Sequence, residues 1–346
     1  MSRSEDPVTD GGQSREAARS AEDIFNRVSD IERPPRSQQL LEGVRNRVLA
    51  PLKILITDPR GAVGVAILAF NVAMATLGVW FFPQPSSLAA EPYTPPFQSL
   101  EYPLGTASLG QEIHLQIIHA TPAMLKFVIS GGIVATLLGV TIGVTAGYKG
   151  GVIDYVLMLI SDTWMSIPAL VLILIISSFW SPRDPYLVGL MLGINFWGGL
   201  ARMTRSEVLS VRESNKVEAA RVMGLPTRYI IRKYVIKNLM PYITVNLANN
   251  SRQIIFAAVG LYFLGVLPYT SANWGVMMDQ AYNNSNLTNM GQVHWLIIPM
   301  VMMILLTLGI ILTAQAADKM FNVRLLAREQ ADEDEGATAT ATIPGN

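Results

Sequence analysis

The stretch PAMLKFVISGGIVATLLGVTIGVTAG, Pro122 to Gly147, contains a single charged residue, Lys126. A run of roughly 20 apolar residues is enough to carry an α-helix across the hydrocarbon core of a bilayer. This stretch therefore reads as a transmembrane span, and runs of similar character recur along the chain. Six candidate spans result, at about 62–82, 122–147, 153–180, 186–203, 241–267 and 295–317. Of the 346 residues, half are hydrophobic and only 15% are charged, against about a quarter in soluble domains. The predicted fold class is an all-α membrane protein, a bundle of six transmembrane helices. The net charge is zero, so no nucleic-acid partner is implied. The chain has no cysteine, which excludes disulfides, thiolate metal sites and cysteine nucleophiles.

Within the opening stretch, Gly139, Gly143 and Gly147 fall four residues apart, on one helix face. Small residues at that spacing let two helix backbones approach closely in lipid, where no hydrophobic effect drives association. In the third span, Pro168 of SIPALVL removes a backbone hydrogen bond and predicts a kink.

Orientation follows from the lysines and arginines flanking the spans. The segments between Phe82 and Ala120 and between Pro268 and His294 contain none. The stretch from Arg202 to Lys237 contains nine, and the first 60 residues contain ten. The expectation is that both termini and the basic loop face the cytoplasm. Residues 1–60 are polar and lack a central apolar run, so they read as a cytoplasmic tail rather than a cleavable signal peptide. That tail is expected to be largely disordered, with a short helix around Ser37 to Ile56. Residues 326–346, acidic and then low in complexity, read as a second solvated tail.

The basic loop, residues 204–240, contains KVEAARVMGLPTRYIIRKYVIKNLMP, Lys216 to Pro241. Its first half predicts a short helix capped by Asn215, with Glu218 in its first turn and Gly224 and Pro226 ending it. The second half predicts an amphipathic helix. Ile230 with Tyr234 and Ile231 with Val235 pack, while Arg228, Arg232, Lys233 and Lys237 stay at the water edge. Such an element is either a re-entry helix on the membrane surface or a docking helix for a soluble partner.

Here the sequence resembles a known family. Glu218-Ala219-Ala220, then Gly224, and Pro241 after Asn238 are similar to the EAA loop of ATP-binding-cassette importer permeases. YPLGTASLG (Tyr102 to Gly110), AGYKGGVIDYVLM (Ala146 to Met158), YFLGV (Tyr262 to Val266) and NWG (Asn273 to Gly275) resemble its dipeptide, oligopeptide and nickel branch, in order and spacing. The resemblance covers roughly residues 60 to 325 and implies a permease domain over 61–325. It implies that Glu218, Ala219, Ala220, Gly224, Asn238 and Pro241 belong to a coupling loop that docks on an ATPase. The implied partners are a homologous second permease, two ATPase subunits and an extracytoplasmic solute-binding protein, in the plasma membrane. The binding protein is expected on the outer segments around Leu104 to Ile118 and Tyr269 to His294. Some positions depart from the branch: Ala107 and Gln111 replace an aspartate and an arginine, Ala258 a common glutamate, and Arg252 a small residue.

No G-x-x-x-x-G-K-[ST] run occurs, so any ATP driving transport must be hydrolysed by another chain. His114, His119 and His294 are the three histidines, and none forms an H-x-x-x-H pair, so no metal or other cofactor is expected. Ionisable and amide groups inside spans are functional candidates. Asp162 in the third span, Asn195 in the fourth, and Asn246, Asn249, Asn250 and Arg252 in the fifth are the candidate translocation path. Two readings of the fifth-span patch stand side by side: helix–helix hydrogen bonding, or a lining that meets a carboxylate-bearing cargo. The sequence thus points to a permease subunit of a binding-protein-dependent importer. The alternative is a secondary transporter working without an ATPase, which usually places carboxylates or broken helices at the membrane midplane.

Overall fold

The computed structural model describes residues 55–321 except 180, 181, 270, 271, 287 and 290. The N-terminal tail, most of its expected short helix and the acidic tail lie outside the described residues. What is described is helical, with one isolated bridge between Thr106 and Glu112 and no sheet. Helix α1 is Pro59–Phe81 and α2 is Ile113–Lys149. Then come α3, Gly151–Ser166; α4, Ala169–Phe179; α5, Pro185–Asn195; α6, Trp197–Arg212; and α7, Asn215–Val222. Helix α8 starts with one turn at Thr227–Ile230, passes through a π segment at Ile231–Val235 and continues as Ile236–Phe263. Helices α9, Trp274–Asn284, and α10, His294–Phe321, complete the described chain.

Among the described residues, three helices are long and apolar enough to cross a membrane: Pro59–Phe81, Ile113–Lys149 and His294–Asp318. The pair α3 and α4 makes a fourth if it is counted as one bent span. The expected kink at Pro168 is a full break, with the two helices meeting at 82°. The fourth expected span is also divided, which the sequence did not predict. Phe196 sits at φ −98°, ψ 9° and its N–H donates to Gly193 O, so the chain turns between α5 and α6. The turn lays Gly198 onto α3, where a Cβ would come within 2.9 Å of Met165 Cγ and 3.2 Å of Ser161 O. The second span begins at Ile113, not near Pro122; the proline lies inside the helix. Helix α9 went unpredicted, although Asn273 caps it by accepting from Val276 N at 3.0 Å, and Trp274, Met277 and Ala281 share a buried face.

The glycine stripe does what its spacing predicts. A Cβ on Gly139 would lie 2.7 Å from Leu200 Cγ, one on Gly143 2.5 Å from Ala201 O, and one on Gly147 2.8 Å from Arg205 O. Helix α6 is therefore seated backbone to backbone along α2. A second close approach joins the π segment of α2, Val128–Gly132, to α5: a Cβ on Gly131 would stand 2.4 Å from Gly189 O. Gly64 of α1 meets Thr313 of α10 in the same way, at 2.7 Å from its N. Side chains fill what the glycines leave. Phe127, Met124, Leu192, Ile254, Ile255, Tyr262 and Trp274 form a core shared by α2, α5, α8 and α9. Phe127 and Tyr262 stack at 6.0 Å.

Two ion pairs fasten α3 to α6. Asp154 accepts from Arg205 Nε at 3.0 Å and Nη2 at 2.5 Å, a two-point grip. Asp162 meets Arg202 Nη1 at 2.9 Å in a more exposed position. Arg212, at the end of α6, donates to Gly147 O at 3.1 Å and so covers a free carbonyl at the end of α2.

The backbone contact at Gly143 is directly testable. Gly143→Ala forces a methyl against a carbonyl oxygen that cannot rotate away, and overpacking of this kind costs about 1–3 kcal/mol. At Gly260 nothing lies within 4 Å of an added Cβ. Thermal unfolding in detergent is expected to show a clear fall in Tm for Gly143→Ala and none for Gly260→Ala. Equal melting temperatures would sink the close-packing account.

Candidate functional site

At the C-terminal end of α2, the loop after α6 folds into a compact projection. Ser214, not Asn215, takes the N-cap position of α7, and its hydroxyl donates back to Val211 O at 2.7 Å. Asn215 is already helical, because the chain turns one residue earlier than expected. The far end closes with the paired bonds of a Schellman turn: Leu225 N to Ala220 O at 3.2 Å and Gly224 N to Arg221 O at 2.9 Å. Gly224 sits at φ +71°, where a side chain is strained although no atom lies near its Cβ position. Leu225 packs back onto the cluster of Val217, Ala220 and Ile230. The Arg221 guanidinium lies 5.2 Å from the centre of the Tyr148 ring.

This fixes which way α7 faces. Val217 and Ala220 point inward and are buried. Glu218 and Ala219 are exposed, and at the tip Val222 and Met223 are 83% and 66% exposed. Of the residues singled out in the loop, Glu218, Ala219, Ala220 and Gly224 thus share α7 and its turn. Asn238 and Pro241 lie on α8, the first exposed and the second half-buried inside the helix. The two tip residues went unnoticed in the sequence; two large apolar side chains ahead of a predicted helix-ending glycine were the available signal.

Further along the bundle, the breaks between α3 and α4 and between α5 and α6 face the middle of α8. Between them lies a cleft of about 610 Å³. Asn195, Asn246, Asn249, Asn250, Arg252 and Gln253 line its polar side, and Trp164, Met165, Phe196 and Met203 its apolar side. Five of the six candidate path residues are therefore brought together. The sixth, Asp162, is not among them; it is engaged with Arg202. The α8 amides have divided tasks. Asn250 Nδ2 donates to Thr136 Oγ1 at 3.3 Å, tying α8 to α2, and Asn246 Nδ2 donates to Tyr242 O at 2.8 Å. Among the described residues, the Arg252 side chain has no ion pair and no hydrogen bond. Beside Asn195, Trp197 is buried, its ring 6.0 Å from that of Trp164.

The opposite end, at the start of α2, is closed by residues 82–112, α9 and the first turn of α10. Thr106 is its central knot. Its hydroxyl donates to Glu91 O at 2.6 Å and accepts from Thr94 N at 2.9 Å, and its carbonyl lies 3.3 Å from His294 Nε2. Gly105, at φ +78°, admits this approach, since a Cβ there would stand 2.3 Å from Thr94 O. Tyr93 donates to Asn284 O, which ties the loop to α9. Ala107 is buried and Gln111 bridges Ser87 and Gln116 at 3.1 and 2.9 Å, so this site is held by amides without charge. Tyr269 donates to Asp279 at 2.6 Å, and that bond raises the Tyr269 phenol above its ordinary pKa. No group of three or more His, Asp or Glu among the described residues could hold a metal ion.

Comparison with known proteins bears on this arrangement. The family described as binding-protein-dependent transport system inner membrane component matches residues 139–326. The chain is 30% identical over 237 residues to the dipeptide transport system permease protein DppC of Bacillus subtilis, covering 67% of this chain and 71% of that one. It is 26% identical over 217 residues to the oligopeptide transport system permease protein OppC of Haemophilus influenzae, covering 62% and 69%. Among solved structures, the inward-facing MetNI methionine ABC transporter aligns with a TM-score of 0.47 and 15% identity, over 60% of this chain and 95% of that one. The matched residues run from the glycine seat of α2 through α7 and the cleft to the end of α10, and the chain belongs to the family of binding-protein-dependent transport system inner membrane components.

Proposed function

We propose that this chain is the permease subunit of an ATP-driven, solute-binding-protein-dependent importer and forms half of a translocation path for peptides or similar solutes. The observation that carries the reading is α7. It is a short helix anchored on its inner face by Val217 and Ala220, stopped by a left-handed glycine, and tipped with two exposed apolar side chains. It lies in the segment matched by the family. The dipeptide and oligopeptide permeases at 30% and 26% identity support a peptide cargo. A carrier working without an ATPase has no comparable support.

In this reading the bundle, residues 61–325, crosses the plasma membrane six times. The spans are α1, α2, the bent pair α3–α4, α5 with the start of α6, the later part of α8, and α10. Both termini and α7 are cytoplasmic, supported by nine lysines and arginines between Arg202 and Lys237 and none between Pro268 and His294. Glu218, Ala219, Val222 and Met223 meet a separate ATPase subunit, with Gly224 setting the angle of the helix. Asn238 and Pro241 belong to the hinge by which α8 follows. A second permease completes the path around the cleft at Asn195, Asn246, Asn249, Asn250 and Arg252. Asp162 has a structural part, fastening α3 to α6. An extracytoplasmic binding protein delivers solute to the surface made by residues 82–112 and α9.

The decisive experiment is copurification. Val222→Glu combined with Met223→Glu alters only exposed side chains, so the melting temperature of the chain is expected to stay put while recovery of the ATPase falls about tenfold or more, since a buried unpaired charge at an interface costs several kcal/mol. Undiminished ATPase recovery and uptake in this variant would remove α7 as the docking element. Orientation is read independently. In this cysteine-free chain, Asn283→Cys is expected to react with an impermeant maleimide on intact cells, and Lys216→Cys only after permeabilisation; the reverse pattern overturns the topology.

A further inference from the structure

We infer that the cleft beside the broken helices receives the terminal carboxylate of the cargo, and that Arg252 is the residue that selects for it. The inference rests on the importer reading and deepens it. An arginine side chain keeps its charge at any accessible pH and offers five donors and no acceptor. Inside a membrane span such a group is costly and is nearly always paired. Even toward the end of α6 its three arginines find acceptors: Arg202 holds Asp162, Arg205 holds Asp154, and Arg212 donates to Gly147 O. Arg252 does not. Among the described residues no acid or acceptor engages it, and it lines a 610 Å³ cleft.

The cleft's other polar side chains, Asn195, Asn246, Asn249, Asn250 and Gln253, are neutral. Its formal charge is therefore +1, set by one group. Asn246 and Asn250 already spend their amide donors on Tyr242 O and Thr136 Oγ1. Asn249 and Gln253, three residues before Arg252 and one after it, are left to add donors beside the guanidinium. Guanidinium and carboxylate match in two parallel hydrogen bonds, a geometry that a neutral amide cannot reproduce. Across the cleft, Trp164, Met165 and Phe196 give an apolar wall. Such a wall, with an adaptable methionine, accepts side chains of varied shape. One fixed charge opposite a permissive wall suits solutes that share a terminal carboxylate and differ elsewhere. The competing possibility is an acid contributed by the second permease, in which case Arg252 is an assembly contact.

The test uses the complex that copurifies with this chain, with trialanine and trialanine amide as probes. Met203 lines the cleft and is 54% exposed, so Met203→Cys is a unique thiol there. Trialanine is expected to slow maleimide labelling of Met203→Cys about tenfold, the amide to leave it unchanged, and Arg252→Gln to abolish the difference while Arg252→Lys keeps part of it. A discrimination of that size is ordinary for one charge-assisted contact. In liposomes, ATP-driven uptake of trialanine is expected to fall about tenfold in Arg252→Gln with the same subunits recovered. Equal protection by acid and amide, or protection that survives Arg252→Gln, overturns the inference. Loss of the second permease from Arg252→Gln overturns it in favour of an assembly contact. If the unaltered complex takes up trialanine without protecting Met203→Cys, the cleft assignment fails alone; if it transports neither peptide, the peptide-importer reading fails with it.

Discussion

Because Gly139, Gly143 and Gly147 lack a Cβ, α6 lies with its backbone against α2, and most of what the chain displays follows from that contact. In lipid, apolar side chains gain nothing by leaving one hydrocarbon surface for another, so association rests on close packing and polar contacts. The glycine seat supplies the first, down to 2.5 Å between an added Cβ and Ala201 O. The ion pair of Asp154 with Arg205 and the bond from Arg212 to Gly147 O supply the second. Together they fix where α6 ends, hence where α7 starts and which of its faces is covered.

The broken helices obey the same constraint from the other direction. A helix interrupted in hydrocarbon exposes backbone groups that must find partners, so such breaks are tolerated where they face protein or a polar cavity. Both interruptions, at Ile167–Pro168 and at Phe196, border the cleft that holds the amides of α8. The polar stripe on α8 and the two breaks are thus one feature.

Much of this was legible in the residues alone. The glycine stripe and an interruption at Pro168 follow from local rules and are seen in the structure, while of the six apolar runs three, or four with the bent pair, are helices long and apolar enough to span among the described residues. Gly224 was legible as a helix stop because few other residues adopt φ +71°. Less was visible wherever the outcome depended on packing between distant segments. The break at Phe196 arises from how Gly198 sits on α3, and nothing in INFWGG announces it. The start of α2 at Ile113 was missed because proline at 122 reads as a boundary, yet the helix carries it inside. The cleft joins residues from α3 to α8 that no spacing rule connects, so Asp162 and Arg252 looked alike as charged groups in spans. Only their neighbours separate them: one has an arginine beside it, the other an open cleft.

Helix α6 has a mechanical consequence. Its first turns carry Gly199 and Met203 into the cleft, and its last residue, Arg212, is clamped to the end of α2 just before α7 begins. At 1.5 Å per residue, these ends stand roughly 20 Å apart on a single stiff rod. Ion pairs fasten that rod to α3, which carries Trp164 and Met165 on the same cleft. Only Glu213 and Ser214 separate this rod from α7, so no slack loop lies between them. The rod and α3 are thus one continuous connection from the base of α7 to the wall of the cleft.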